Sequence, residues 1–449
     1  MRILYVTHQF LPEHVAGTEI LTYRTAKECM RRGHDVHVFT GCKVPDPAGV
    51  EAPFDEYIHE GISVSRYSFS WDTAMGTRNQ MLEEYYNELV HGYFADMVRR
   101  LRPELVHIHH LQRLSASLIA VCRDNTIPVI FTATDYWTVC PICQLLLPDG
   151  SLCPGPDAKG LNCVRHMAEF IGRGRVLRFL PDGLLSPLLT VMTHRAWPDT
   201  RYGPKLRALV NRPAYIRSMM AMVDRILVTT DFMKEKLSGF GIDEEKFIVL
   251  PFGVECRDGA PETPRGTGKT VRFGYVGTLS HHKGVHVICE AVRRVRAAVS
   301  FTVDIYGDED LFPAYVEKLR SIVGADTRVR FRGTFAPERL WDVLDVLDVL
   351  IIPSLWYENT PLILHSAQAD RVPVVASNLV GLNEIIADGE NGLLFEPGDA
   401  GGLARIIERL CDRRGLIDGL SQGARPPLSM PAYVDRLEEI YRDVVTKET

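Results

Sequence analysis

Short apolar runs recur along this chain, and each is followed by a stretch with helical spacing. ILYVT (3–7) precedes a helical pattern over 18–32, and DVHVFT (35–40), LVHIHH (105–110), PVIFTA (128–133) and RILVTT (225–230) repeat the arrangement. A strand buried on both faces reads as an unbroken apolar run, and a helix between successive strands makes them parallel. The pattern therefore predicts a parallel sheet with helices on both faces. It breaks over 140–222, a stretch rich in Arg, Pro, Gly and Leu, and again at ECRDGAPETPRGTGKT (255–270), which has a linker's composition. It restarts with VRFGYVG (271–277), FTVDIYG (301–307), RVRFRG (328–333), DVLIIPS (348–354) and VPVVAS (372–377). DVLDVLDVL (342–350) looks like a repeat but spans a helix end and the next strand.

The fold class expected is α/β: two doubly wound, Rossmann-like domains facing an inter-domain cleft. The first covers 1–250, with an insertion at about 165–220. A linker follows over 251–270, and the second domain covers 271–425. A final segment, 426–449, carries the amphipathic helix AYVDRLEEIYRDVV (432–445), expected to pack back on the first domain. In such sheets ligands bind beyond the carboxyl ends of the strands, so a cleft between two of them is the expected site.

Charge narrows the partners. The 449 residues include 51 basic and 57 acidic side chains, a net −6, which gives no reason to expect nucleic acid. No run of eighteen apolar residues predicts a transmembrane helix. The opening MRILYVTHQF has no leader pattern, so a cytoplasmic protein with reduced thiols is expected, possible contact with the inner membrane face included.

Two strand ends of the second half carry chemistry. In VGTLSHHKG (276–284), Lys283 sits at a glycine turn ahead of a helix, a place suited to phosphate; a solvated loop lysine is the alternative. In SLWYENTPLILHSA (354–367), Glu358 precedes a helix start at Asn359, Thr360, Pro361 and Leu362. Backbone N–H groups there suit a diphosphate, and the carboxylate suits sugar hydroxyls. The alternative is a glutamate that only complements the helix dipole.

With those segments in view, the chain resembles the retaining glycosyltransferases of family 4, which have the two-domain GT-B fold. The resemblance is carried in order by an early GTE, LVHIHHLQ, FTATDYWTVCP, VDRILVTTDFMKEKLSGFGIDEEKFIVLPFGVE, VGTLSHHKGVHVICEA, LWDVLDVLDVLIIPSLWYENTPLILHSA, RVPVVAS and ADGENGLLFEPGD. It covers nearly everything except about 165–220. It implies transfer of a sugar from a nucleotide-diphosphate donor, UDP or GDP above all, to a glycan or lipid-linked glycan, with no metal or other cofactor required for catalysis. It also implies roles for particular residues. Lys283 brackets the donor diphosphate, with Thr278 where the family usually has arginine. Glu358 contacts the donor sugar, and Ser366 replaces a glutamate that grips the ribose. Backbone around Asn359–Leu362 serves sugar and diphosphate, and Arg332 and Gly333 lie by the base. Gly17 lets backbone approach the donor phosphate. His109 stands near the reacting centre and Asp135 beside the acceptor, with Thr134 where a histidine is common. His281 or His282, if protonated, would supply the charge missing at Thr278. A core histidine at a strand end is the alternative for His109.

Two further features stand beside these. Cys140, Cys143, Cys153 and Cys163 follow TDYW with spacing C-x2-C-x9-C-x9-C and could hold a structural zinc; ordinary reduced thiols are the alternative. Over 171–220, Arg173, Arg175, Arg178, Arg195, Arg201, Lys205, Arg207, Arg212 and Arg217 face only Asp182 and Asp199, and FLPDGLLSPLLTVM (179–192) and Trp197 lie among them. Basic and apolar residues so mixed suit a peripheral membrane contact or an anionic lipid-linked acceptor. The alternative is a helical subdomain with solvated arginines. The three departures, Thr278, Thr134 and Ser366, keep open a rival function: a catalytically weak module that binds a glycan or a partner. Another GT-B sugar-nucleotide enzyme is a third reading.

Overall fold

The computed structural model describes residues 1–44, 53–69, 79–147, 149–157, 160–170, 181–193, 203–257 and 265–447. The chain forms two compact units, Met1–Leu250 with Pro431–Thr449, and Pro251–Met430.

The first unit is built on an eight-stranded sheet. Its strands are β1 (Arg2–Thr7), β2 (Asp35–Lys43), β3 (Phe54–His59), β4 (Ile62–Phe69), β5 (Leu105–Ile108), β6 (Val129–Thr132), β7 (Arg225–Val228) and β8 (Phe247–Val249), in the order β3-β4-β2-β1-β5-β6-β7-β8. All neighbours are parallel except β3 and β4. β5 and β6 are buried along their whole length, as the unbroken apolar runs predict. The order reverses between β1 and β5, so loops after those strands open at one point of the sheet edge.

The β3–β4 hairpin is an addition to the expected strands. Its turn is Glu60–Gly61, both with positive φ (47° and 86°), a type I′ geometry that the word EG signals weakly. β3 lies at the sheet edge with exposed Asp55 and Glu56, so it lacks an apolar run.

The last helix, Met430–Lys447, belongs to the first unit from Pro431 onward. Its Tyr441 hydroxyl lies 3.1 Å from that of Tyr5 in β1 and 2.7 Å from His107 Nδ1 in β5. Arg32 holds Asp435 at 2.6 Å.

The second unit holds β9 (Val271–Val276), β10 (Phe301–Tyr306), β11 (Val329–Gly333), β12 (Val349–Ile352), β13 (Val374–Ser377) and β14 (Gly392–Phe395). Their order is β11-β10-β9-β12-β13-β14, parallel throughout. This is the doubly wound 3-2-1-4-5-6 arrangement, with its reversal between β9 and β12. One core runs through the sheet and its helices and includes Phe273, Ile288, Ile351, Leu403 and Ile407.

Residues 265–270 are not a slack linker. Arg265 is 5 % exposed, bonds the buried Asp370 carboxylate at 2.6 Å and also reaches the Leu344 and Leu347 carbonyls. Polar composition misled here because a buried ion pair and a solvated charge look alike in sequence.

Candidate functional site

In the second unit the reversal point gathers the predicted donor residues. Gly284 ends the single 3₁₀ turn His281–Lys283 that follows β9, and the helix Val285–Arg294 begins directly after it. Gly284 has φ +73°, and a Cβ there would lie 1.9 Å from the Pro353 carbonyl oxygen just past β12. Only glycine lets the two loops approach so closely. The Leu355 N–H then donates to the His282 carbonyl at 2.9 Å.

This stitching carries Lys283 to Glu358. Lys283 Nζ donates to Glu358 Oε1 at 2.7 Å and to Oε2 at 3.0 Å. Ser354 Oγ and Trp356 Nε1 also donate to Oε1, at 2.5 and 2.8 Å, and Nζ stands 4.9 Å from the centre of the Trp356 ring. Glu358 is 3 % exposed. Burial alone would raise its carboxyl, but the Lys283 charge and these donors outweigh burial and hold it below the usual carboxylate range. Gly381 packs beneath it, where a Cβ would come within 2.3 Å of the Glu358 carbonyl oxygen.

The helix after this turn, Leu362–Ala369, starts with Pro361 as its N-cap and has no side-chain cap. Its first N–H groups have no intrahelical partner, which is the arrangement that receives anions. Thr360 has φ +46° and, with Asn359, is buried in the turn. β9, β10 and β11 terminate at Gly277, Gly307 and Gly333, joined by Gly277 N–H to Tyr306 O (3.1 Å) and Gly307 N–H to Gly333 O (2.9 Å), an edge bare of side chains.

Other predicted donor residues are placed differently. Arg332 pairs with Asp304 at 2.8 Å. Thr278 offers its carbonyl to the Tyr275 hydroxyl at 2.8 Å. Ser366 is 1 % exposed, on the helix that Pro361 opens. The histidines supply no charge for Thr278: burial, then Lys283, pushes His282 down to about 4, and burial lowers His281 as well.

The first unit has its own cluster at the reversal between β1 and β5. Gly17 opens the helix Gly17–Arg31 after Ala16, with no side-chain cap, and a Cβ on Gly17 would meet nothing within 4 Å. His109 ends β5 but is fully buried. Its Nδ1 lies 2.8 Å from Thr22 Oγ1, whose own proton goes to the Thr18 carbonyl, so Nδ1 is the protonated nitrogen. Burial lowers His109 to about 3, which leaves its ring neutral. Thr134 Oγ1 donates to the His109 carbonyl at 3.1 Å.

The next residue, His110, meets Asp135 instead. His110 Nδ1 accepts the Gln112 N–H at 3.1 Å, so Nε2 carries the proton and donates it to Asp135 Oδ2 at 2.8 Å. Asp135 Oδ1 takes the Trp137 N–H at 2.8 Å. The His8 ring lies against His110, tilted by 41° with centroids 4.2 Å apart, and His8 stands 3.8 Å from Glu19. Burial raises the Glu19 carboxyl to about 7, and its Oε2 has no hydrogen-bond partner among the described residues. Sequence reasoning missed His110 and Glu19 as site residues, although HIHH and GTE contain them. A histidine doublet gives no sign of which ring turns toward the site.

The cysteines divide. Among the described residues, His110, Asp135 and Cys143 bring potential ligand atoms within 4.8 Å of one another. Cys143, at φ +66°, lies in that cluster, whereas Cys140, Cys153 and Cys163 line a separate small cavity, so the expected set Cys140, Cys143, Cys153 and Cys163 is divided.

In the insertion, Arg212 is 2 % exposed and faces the protein: its guanidinium holds Glu84 at 2.6 Å and the Trp137 carbonyl at 2.5 Å. Leu185 and Leu209 pack inward with Val164, whereas Leu184 and Val191 are 62 % and 51 % exposed. Arg173, Arg175, Arg178, Arg195, Arg201 and Trp197 lie outside the described residues. No helix among the described residues is long and apolar enough to cross a membrane.

Comparison with known proteins agrees with this geometry. Residues 16–161 match the glycosyl transferase 4-like domain and residues 270–413 match glycosyl transferases group 1. The chain is 30 % identical over 448 residues to the glycogen synthase of Mycobacterium tuberculosis, covering 96 % of this chain and 90 % of that one. It is 27 % identical over 195 residues to a putative colanic acid biosynthesis glycosyltransferase of Salmonella typhimurium, covering 41 % of this chain and 47 % of that one. The chain spans about half the length of the first curated relatives it matches. Its backbone is similar to that of Anabaena HepE solved with UDP and glucose, with a TM-score of 0.64 at 14 % identity over 98 % of this chain and 99 % of that one.

Proposed function

This chain belongs to the group 1, family 4 glycosyltransferases with the GT-B fold, and from that premise we propose that it transfers a sugar from a nucleotide diphosphate to a glycan hydroxyl. One observation carries the proposal: the Lys283–Glu358 pair, stitched by Gly284 into the reversal point of the second sheet. The diphosphate takes Lys283 and the uncapped N–H groups at Leu362. Glu358, kept ionised, accepts hydrogen bonds from the sugar hydroxyls. As the anomeric bond breaks, negative charge grows on the leaving diphosphate, and the ammonium and the helix amides stabilise it where it forms. The acceptor oxygen attacks the face the leaving group vacates, so configuration is retained, and no metal is required on the diphosphate.

On the acceptor side the proposal uses His110, Asp135 and Glu19. Glu19, with its carboxyl raised to about 7, is the candidate to take up the acceptor's proton. UDP is the favoured nucleotide, by analogy with the HepE complexes. The acceptor class favoured is a growing surface polysaccharide or lipid-linked glycan, by analogy with the Salmonella relative. Exposed Leu184 and Val191, seven residues apart on one helix face, would rest on the membrane carrying it.

The test is binding of UDP-, GDP-, ADP- and dTDP-sugars by calorimetry, then transfer to oligosaccharide acceptors with the product anomer read by NMR. Binding of one nucleotide class and a product anomer matching the donor are expected; an inverted product overturns the mechanism. Glu358→Gln should keep the fold and lower turnover on the order of a hundredfold. A second reading, a glycan-binding module with little turnover, is favoured by the neutral Thr278 and by His281 and His282 of the same loop, whose charge is lost to burial. Glycan binding without donor binding would select it.

A further inference from the structure

Cys140, Cys153, Cys163 and His166 line one small cavity of about 10 Å³, the space of a single water-sized sphere. Two local structures bring them there. Past Cys140 the chain folds back on itself: Leu146 pairs antiparallel with Leu152, the Leu147 N–H donates to the Ser151 carbonyl at 2.8 Å, and the Cys153 N–H donates to the Leu145 carbonyl at 2.7 Å. This short ribbon returns Cys153 beside Cys140. The helix Leu161–Phe170 supplies Cys163 and His166, three residues apart and so on one face.

The backbone around the sulfurs is arranged for anions. The Gly155 N–H donates to Cys153 Sγ at 3.4 Å. Amides aimed at sulfur are the outer shell of a metal thiolate. Three thiolates lining one cavity repel one another, so a cation is needed to hold them together. Arg212 is near, but its hydrogen bonds go to Glu84 and to Trp137.

We propose that Cys140, Cys153, Cys163 and His166 bind one zinc ion in a closed, tetrahedral site that staples the 145–153 ribbon to the helix Leu161–Phe170. Three soft thiolates and an imidazole select zinc over the hard divalent cations. Four protein ligands leave no open position, so the ion is structural. Binding forms three Zn–S bonds and one Zn–N bond and releases three thiol protons to solvent. Cys143, which lies with His110 and Asp135, takes no part. The ion orders the segment immediately after Asp135 and Trp137, and so steadies the acceptor-side cluster from behind.

The inference is independent of the proposed transfer, because its test reads metal rather than turnover. The full chain is produced with zinc in the medium, desalted, and assayed for metal by mass spectrometry. One zinc per chain is expected. After removal by a chelator, cobalt(II) should restore the sulfur-to-cobalt charge-transfer band and the intense visible bands of a tetrahedral ion. Cys163→Ser should lose the metal, His166→Cys should keep it, and Cys143→Ser should keep it in full. A wild-type chain with no zinc that also gives no cobalt bands overturns the site. So does loss of zinc in Cys143→Ser alongside its retention in His166→Ala. If Cys163→Ser does not fold, the wild-type stoichiometry and the two conservative variants still decide.

Discussion

Two buried glutamates show how environment assigns different work to one side chain. Glu358 is held below the usual range by Lys283 and its hydrogen-bond donors. Its contribution to stability is present above the unfolded value near 4.5 and disappears only as pH falls through the lower folded value. Glu19 is the reverse case, raised by burial from 4.5 to about 7. A raised acid favours the folded state when protonated, so stability is greatest below 4.5, declines as pH rises toward 7, and then levels off. Glu19→Gln should flatten that part of the profile and add up to about 3 kcal/mol at pH 8. Thermal unfolding of both proteins from pH 4 to 8 checks it; parallel curves would remove Glu19 as the group titrating there. Lys283→Ala should do more than weaken donor binding. It leaves the Glu358 carboxylate buried without its cation, at a cost of about 3 kcal/mol. The double variant with Glu358→Gln should recover part of that stability and none of the donor affinity, as read by urea unfolding and calorimetry.

At the scale of elements, two glycines separate fold from function. Gly284 holds a left-handed turn against the Pro353 carbonyl, so Gly284→Ala should lower stability by more than the roughly 1–2 kcal/mol of the backbone term and carry Lys283 away from Glu358. Gly17 has an ordinary φ and open space around it. Gly17→Ala should leave the melting temperature unchanged or slightly raised, since alanine is the better helix former by up to about 1 kcal/mol, while donor affinity and transfer fall. Equal melting losses in both variants would refute the distinction. The same contrast explains what could be read from the chain. The parallel strands were legible because burial on both faces leaves unbroken apolar runs such as VLII and VVAS. The Lys283 and Glu358 turns were legible because each follows such a run. The β3–β4 hairpin was not, since its edge strand alternates with charge. Nor could residue type separate His109 from His110, or Cys143 from its three neighbours, because adjacent side chains at a strand end or tight turn diverge to opposite sides. The burial of Arg265 and Arg212 was not legible because their partners, Asp370 and Glu84, lie more than a hundred residues away.

For the molecule as a whole, the helix Met430–Lys447 is the informative part. Its Tyr441 supplies hydrogen bonds to Tyr5 and His107, the centre of the first sheet, after the chain has completed the second unit. Tyr441→Phe leaves both partners short of a bond and should cost about 1–3 kcal/mol, confined to the first unit. Hydrogen exchange should show protection lost in β1 and β5 and kept in β9 and β12; equal losses in both units would contradict this division. The arrangement also orders events during synthesis. β1 leaves the ribosome before the whole second unit, yet the tyrosine that completes its surroundings is made only after that unit. A ribosome stalled before residue 431 would thus display a finished second sheet beside a first sheet still lacking its seal. The nascent protein cannot close its older half until the younger unit has been made.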